Sequence, residues 1–279
     1  MKKLFLFAVL ILSSAQVYGD DFVIEDISFF SSDTRLAGSI VLPINGKIQA
    51  AVVFVHGSGP QERSLGIGKR FAAEGIAALV YDKRGVGRSG GTYERNQSVS
   101  GQNIKLLAAD AQAAIEILRA HPSTASVPLG LTGISQAGWI VPVAATQVSD
   151  VDFMVLWSGP VCRVSEEDIY SKYTRDLDSK RVPSYAEALH ARTTPYIWPD
   201  FLGEDTAPTT SLATLDIPGL WVFGEQDGSV PVDLSIDRLN ALIDTGKPYE
   251  YAFFSRLGHN NMHETFSMVT DWIKRTTQQ

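Results

Sequence analysis

Cysteine is almost missing from this 279-residue chain: Cys162 stands alone, so no intrachain disulfide can form. Stability must therefore come from buried core, and Cys162 itself reads as a small buried hydrophobe near the end of a strand. Basic charge is also scarce. Twenty-four Lys and Arg against 31 Asp and Glu leave a net charge of −7, and no basic run stands out in the body of the chain. A nucleic-acid partner needs a phosphate-neutralising surface, so that class is excluded. Long hydrophobic runs are wanting too. Residues 4–12 form an unbroken apolar stretch of nine, whereas a membrane helix needs about 20. Neither an internal repeat nor a low-complexity segment interrupts the pattern.

What is present begins with a leader. Lys2 and Lys3 precede the apolar stretch, and small residues follow it up to Gly19. That order is a secretory signal peptide over residues 1–19, cut after Gly19 or after Ala15, against the alternative of an uncleaved anchor. Loss of the two lysines takes the net charge from −7 to −9. The expected location is periplasmic or secreted, without stable membrane insertion after cleavage. Residues 20–279 are then one domain, with 44% hydrophobic and 20% charged residues, a balance that supports a sizeable core.

Along that domain eight strand-like runs alternate with helical stretches. Residues 22–30 and 35–42 read as an antiparallel hairpin turned at Ser31-Ser32-Asp33. Residues 50–55, 76–81, 129–132, 153–157 and 219–223 are short apolar runs, as in strands covered on both faces, and 249–254 reads as the last strand. Between them lie a helix around 68–74 and a helix over 104–119 with Ile104, Leu107, Ala108, Ala111, Ile115 and Leu118 on one face. A third helix follows residue 137 and carries Pro142 either at a kink or near its first turn, and a last one carries Phe266, Val269, Trp272 and Ile273. The alternation predicts a doubly wound, mostly parallel eight-stranded α/β sheet. Residues 161–212 lack a buried strand and scatter Tyr170, Tyr173, Tyr185, Tyr196, Trp198 and Phe201 among charges. So long a structureless loop does not suit a compact domain, so a small inserted helical cap is expected there. Its aromatics either line a substrate pocket or form the cap's own core.

The chemistry gathers at strand ends. Ser135 sits in Gly133-Ile134-Ser135-Gln136-Ala137, between an apolar strand and a helix. A nucleophilic serine in such a sharp turn needs small residues two positions either side; Gly133 supplies one, and Ala137 stands where glycine is usual. The orienting acid is Asp227, just past the run 219–223, with Glu225 as a rival and an Asx turn as the non-catalytic alternative. The base is His259, just past the last strand. For the oxyanion, the backbone N–H of Gln136 follows the nucleophile at a helix N-terminus, and the loop His56-Gly57-Ser58-Gly59-Pro60 offers a second donor, Ser58, with Gly59 as the fallback.

Other candidates fall away on context. His56 supports its loop, His121 caps a helix end at the surface, and His190 lies in the cap. His259 and His263 have the i, i+4 spacing of a metal pair but no glutamate between them and no third ligand, so no metal is expected. Gly85, Gly87 and Gly90 have dinucleotide-binding spacing, yet no helix opens directly after them, so a turn-forming loop is expected and no cofactor.

Taken together, H-G-S-G-P at 56–60, D-K-R-G-V-G-R-S at 82–89, G-I-S-Q-A-G at 133–138, G-E-Q-D-G-S-V-P at 224–231 and G-H-N at 258–260 resemble the α/β-hydrolase family over nearly the whole domain. The order Ser135, Asp227, His259 is that family's order. Within it the chain looks like bacterial esterases and the serine aminopeptidase-like branch, which also carry an inserted cap. The resemblance implies a serine hydrolase forming an acyl-enzyme from a small ester, with a short peptide or N-acyl amide as the alternative substrate; a non-catalytic binding protein on the same fold is the remaining reading.

Overall fold

The computed structural model describes residues 11–18 and 22–278. Its strands form one sheet in the order β1-β2-β3-β5-β4-β6-β7-β8-β9. The eight expected runs become β2 (Phe22–Ser31), β3 (Thr34–Pro43), β4 (Ala50–Val55), β5 (Ile76–Tyr81), β6 (Leu129–Ile134), β7 (Phe153–Trp157), β8 (Gly219–Gly224) and β9 (Tyr249–Phe254). A further strand, β1 (Ile11–Tyr18), pairs antiparallel with β2 from within the stretch read as leader. The lysines at positions 2 and 3 and the cleavage point at Gly19 lie outside the described residues.

β2 and β3 pair antiparallel from Phe22↔Pro43 to Ser31↔Thr34, with Ser32 turning the chain at φ 51°. β3 pairs antiparallel with β5, and β4 to β9 are joined by parallel ladders. In β4 all six residues are buried. Period-two alternation sends Ala51, Val53 and Val55 to one core and Ala50, Val52 and Phe54 to the other. That is why the run is apolar without gaps.

Helices cover both faces. On one side lie α2 (Gly101–Ala120), α3 (Ala137–Ala145) and α7 (Val232–Asp244). The stripe Ile104, Leu107, Ala108, Ala111, Ile115 and Leu118 of α2 is buried throughout. α2 starts one turn before the apolar period because the Ser100 hydroxyl caps it, accepting the Asn103 N–H at 3.2 Å. The other side is held by α1 (Leu65–Ala73) and α8 (Met262–Thr276), where Phe71, Phe266 and Trp157 pack ring against ring. Pro142 lies within α3. Between β7 and β8 come α4 (Val164–Thr174), α5 (Tyr185–His190), a 3-10 turn at Asp200–Leu202 and α6 (Pro208–Leu212).

This topology delivers the carboxyl ends of β4, β5, β6, β7, β8 and β9 to one edge, where open α/β sheets bind ligands.

Candidate active site

The turn between β6 and α3 is built around Ser135, whose φ of 56° is left-handed and unfavourable for a residue with a Cβ. Two backbone bonds hold it: the Ser135 N–H donates to Trp157 O at 2.9 Å, and Ser135 O accepts the Gly138 N–H at 2.8 Å. Gly133 makes the turn possible. A Cβ there would stand 2.4 Å from Ala137 Cβ and 2.6 Å from Val55 O. The space that Gly133 leaves is filled by the Ala137 methyl, so alanine in place of a second glycine costs nothing sterically. The Ser135 side chain is half-buried and reachable.

Asp227, fully buried after β8, meets His259 after β9: His259 Nδ1 lies 2.9 and 3.0 Å from the two carboxylate oxygens. Asp227 Oδ1 also accepts the N–H groups of Ser229 at 2.8 Å and Val230 at 2.9 Å. The Asx turn and the histidine partner are thus one arrangement, in which the turn aims the carboxylate. Glu225 is exposed. Burial works against the charged imidazolium, but the hydrogen bond and charge of Asp227, with the charges of Asp178 and Asp176, outweigh it and raise the His259 pKa above its usual 6.5. The base loop is fixed to β7: Ser158 Oγ donates to His259 O at 2.8 Å and accepts from Asn261 Nδ2 at 3.0 Å. Trp157 and Ser158 are consecutive, so the end of β7 anchors the serine turn with one residue and the histidine loop with the next.

The segment between β7 and β8 reaches back to the same loops. Asp178 accepts the Gly228 N–H at 3.0 Å through one carboxylate oxygen and the His259 N–H at 2.9 Å through the other. Tyr170, buried in α4, donates to Asp227 O at 3.1 Å. A Cβ on Gly228 would meet Leu177 O at 2.1 Å, and one on Gly258 would meet Asp178 Oδ2 at 2.0 Å; glycine at both positions is what lets the strap approach. Of the other aromatics there, Tyr196 donates to Asp168 at 2.6 Å and Trp198 to Gly203 O at 2.7 Å, while Tyr173 and Phe201 are exposed.

The loop after β4 lies against Ser135: a Cβ on Gly57 would come 3.5 Å from Ser135 Cβ. Ser58 is exposed and Gly59 turns with φ 87°. Gln136 is buried beside them. Between the two sits Lys83, from the residues just past β5, with its Nζ donating to Gly57 O at 2.8 Å, Gly59 O at 3.2 Å and Gln136 Oε1 at 2.8 Å. Its burial brings the Lys83 pKa down to about 8. Sequence reading passed over Lys83 as part of a turn. Its one signal was a lysine directly behind a fully apolar strand, at the edge where the chemistry gathers. Asp178 gave no signal, since its role depends on a loop remote in sequence folding back.

The remaining candidates are structural. His56 is buried, edge-on to Tyr81 at 4.8 Å, and burial together with the Lys83 charge lowers its pKa to about 4, which leaves it neutral in its loop. His121 does cap α2, but it is buried rather than at the surface, 3.0 Å from Glu25 Oε2. His263 is exposed on α8, with its ring 3.5 Å from Arg70. The glycines of 85–91 close around Asp82 rather than opening a helix: Arg88 N–H donates to Asp82 Oδ2 at 2.8 Å, and Arg63 grips the same carboxylate at 2.9 Å. Cys162 is fully buried, its thiol pKa pushed well up by burial.

Comparison with known proteins gives the family and the fold. Residues 46–195, which hold Ser135 but end before Asp227 and His259, match the family described as serine aminopeptidase, S33. No curated protein sequence matches the chain. Among solved structures, an esterase of Pyrococcus furiosus superposes with a TM-score of 0.66 at 17% identity, covering 92% of this chain and 91% of that one. Acetyl xylan esterase 1 of a Thermoanaerobacterium species gives 0.66 at 16% identity over 96% and 87%. The acylaminoacyl peptidase of Pyrococcus horikoshii gives 0.66 at 19% identity over 91% of this chain and 42% of that one. Identities this low speak for the fold.

Proposed function

Because the chain belongs to the serine aminopeptidase S33 family, on the α/β-hydrolase fold, we propose that it is an exported serine hydrolase that cleaves a carboxylic ester through Ser135, His259 and Asp227. The observation that carries the reading is the buried Asp227 carboxylate 2.9 Å from His259 Nδ1, with the His259 loop tied to the same strand end as the strained serine. Asp227 fixes the imidazole with Nδ1 protonated, leaving Nε2 as the base. His259 takes the Ser135 hydroxyl proton as Oγ attacks the ester carbonyl. The N–H groups of Gln136 and Ser58 receive the oxyanion. The imidazolium then gives its proton to the departing alkoxide, which leaves as the alcohol. Water, deprotonated by His259, attacks the acyl-enzyme and releases the carboxylic acid and free Ser135.

An ester is preferred because an alkoxide is a far better leaving group than an amide nitrogen. The family's description favours a second reading, an aminopeptidase or N-acyl amide hydrolase with the same triad. Turnover of a panel of p-nitrophenyl esters and aminoacyl p-nitroanilides separates them: the esters are expected to turn over faster, and faster turnover of the anilides would overturn the choice. Export rests on the leader over residues 1–19. Cleavage after Gly19 removes β1 and leaves the eight strands β2–β9. The N-terminal mass of protein recovered outside the cytoplasm tests this, and an intact Met1 there would contradict it.

A further inference from the structure

The proposed oxyanion hole draws its two donors from separate segments, one after β4 and one after β6, and nothing in either sequence fixes their spacing. Lys83 comes from a third segment, after β5. In the sheet order β5-β4-β6 it must reach past the β4 loop to touch Gln136, and its Nζ bonds both sides. The Gln136 amide is held at its other end as well, because its Nε2 donates to Ser98 O at 2.7 Å. The bond to Gly57 O carries a further consequence. Gly57 C=O and Ser58 N–H belong to one peptide unit, so a cation on that oxygen draws electron density from the nitrogen and strengthens Ser58 as a donor. Resting on the serine-hydrolase reading, we propose that Lys83 is the positioning residue of the oxyanion hole: its ammonium sets the distance between the Ser58 and Gln136 donors and polarises the Ser58 peptide.

Two buried acceptors, Gly57 O and Gln136 Oε1, and the part-buried Gly59 O share this one cation, and its removal leaves the buried pair without it. The charged and titratable groups around Lys83 are few. His56 is neutral, the Asp82 carboxylate is engaged by Arg63 and the Arg88 N–H, and the Tyr93 ring lies 5.8 Å from Nζ. With its pKa brought down to about 8, Lys83 loses a proton, and with it both charge and one donor, inside the range an assay can reach.

The test compares wild type with K83M, which keeps the length of the side chain and removes the charge. Phenylboronic acid forms a tetrahedral adduct with an active serine and places an oxygen where the oxyanion would sit. K83M is expected to lose roughly 10- to 100-fold in boronate affinity and in kcat, with KM changed far less, because the hole acts on the transition state. The wild-type kcat is expected to decline as pH rises through about 8, and that limb should be absent from K83M. A merely structural role would lower the melting midpoint without splitting kcat from KM. Should K83M not fold, K83Q retains a donor without the charge and is expected to show the same split at smaller amplitude. Boronate affinity and kcat within about twofold of wild type in a folded variant overturn the assignment. If wild type itself neither binds the boronate nor hydrolyses the ester panel, the serine-hydrolase reading fails instead.

Discussion

His259 carries the sharpest residue-scale expectation. Its pKa is raised because the Asp227, Asp178 and Asp176 carboxylates outweigh the cost of burial. With the neutral imidazole as the proposed base, activity is expected to be lost as pH falls through that pKa, with the acid limb of kcat/KM above pH 6.5, the usual histidine value. A midpoint well below 6.5 in the pH profile would contradict the carboxylate arrangement. Ser135, Asp227 and His259 were legible in the sequence as candidates because each follows a strand-like run and has a residue type suited to the proposed chemistry. Lys83 was not, since its role exists only once carbonyls from two other segments close around Nζ. His121 was misread for a similar reason: Glu25 on a distant strand buries it.

Among the elements, the turn from β6 into α3 sets the tightest steric limits. A methyl on Gly133 would collide with Ala137 Cβ and with Val55 O, so G133A is expected to cost about 1–3 kcal/mol and to distort Ser135. A137G removes a methyl from the first turn of a helix and is expected to cost no more than about 1 kcal/mol with activity retained. Urea midpoints and ester turnover of the two variants check the contrast; equal penalties would contradict the account of why alanine is tolerated. The inner strands β4, β5, β7 and β8 were readable because burial on both faces writes itself as an unbroken apolar run, whereas the outer strand β9 is largely exposed and carries Glu250. α7 escaped notice although Val232, Leu239 and Leu242 are buried at helical spacing. The short helices between β7 and β8 were out of reach: α5 has six residues, too few to display a period.

On the scale of the whole molecule, one sheet edge gathers the ends of six strands, and the segment inserted between β7 and β8 bends back to tie the loops bearing Asp227 and His259. The proposed triad draws on residues more than 120 apart in sequence, from Ser135 to His259. Sequence order alone could rank Ser135, Asp227 and His259 but could not show that His259 Nδ1 meets the Asp227 carboxylate at 2.9 Å. The proposed activation of Ser135 by His259 is what a fluorophosphonate probe reads, since it phosphonylates a serine only where a base and oxyanion donors activate it. Treated with the probe and mapped by peptide mass, the wild-type protein should carry a single adduct on Ser135, and S135A should carry none. An unlabelled wild type, or equal labelling of S135A, would contradict the central claim.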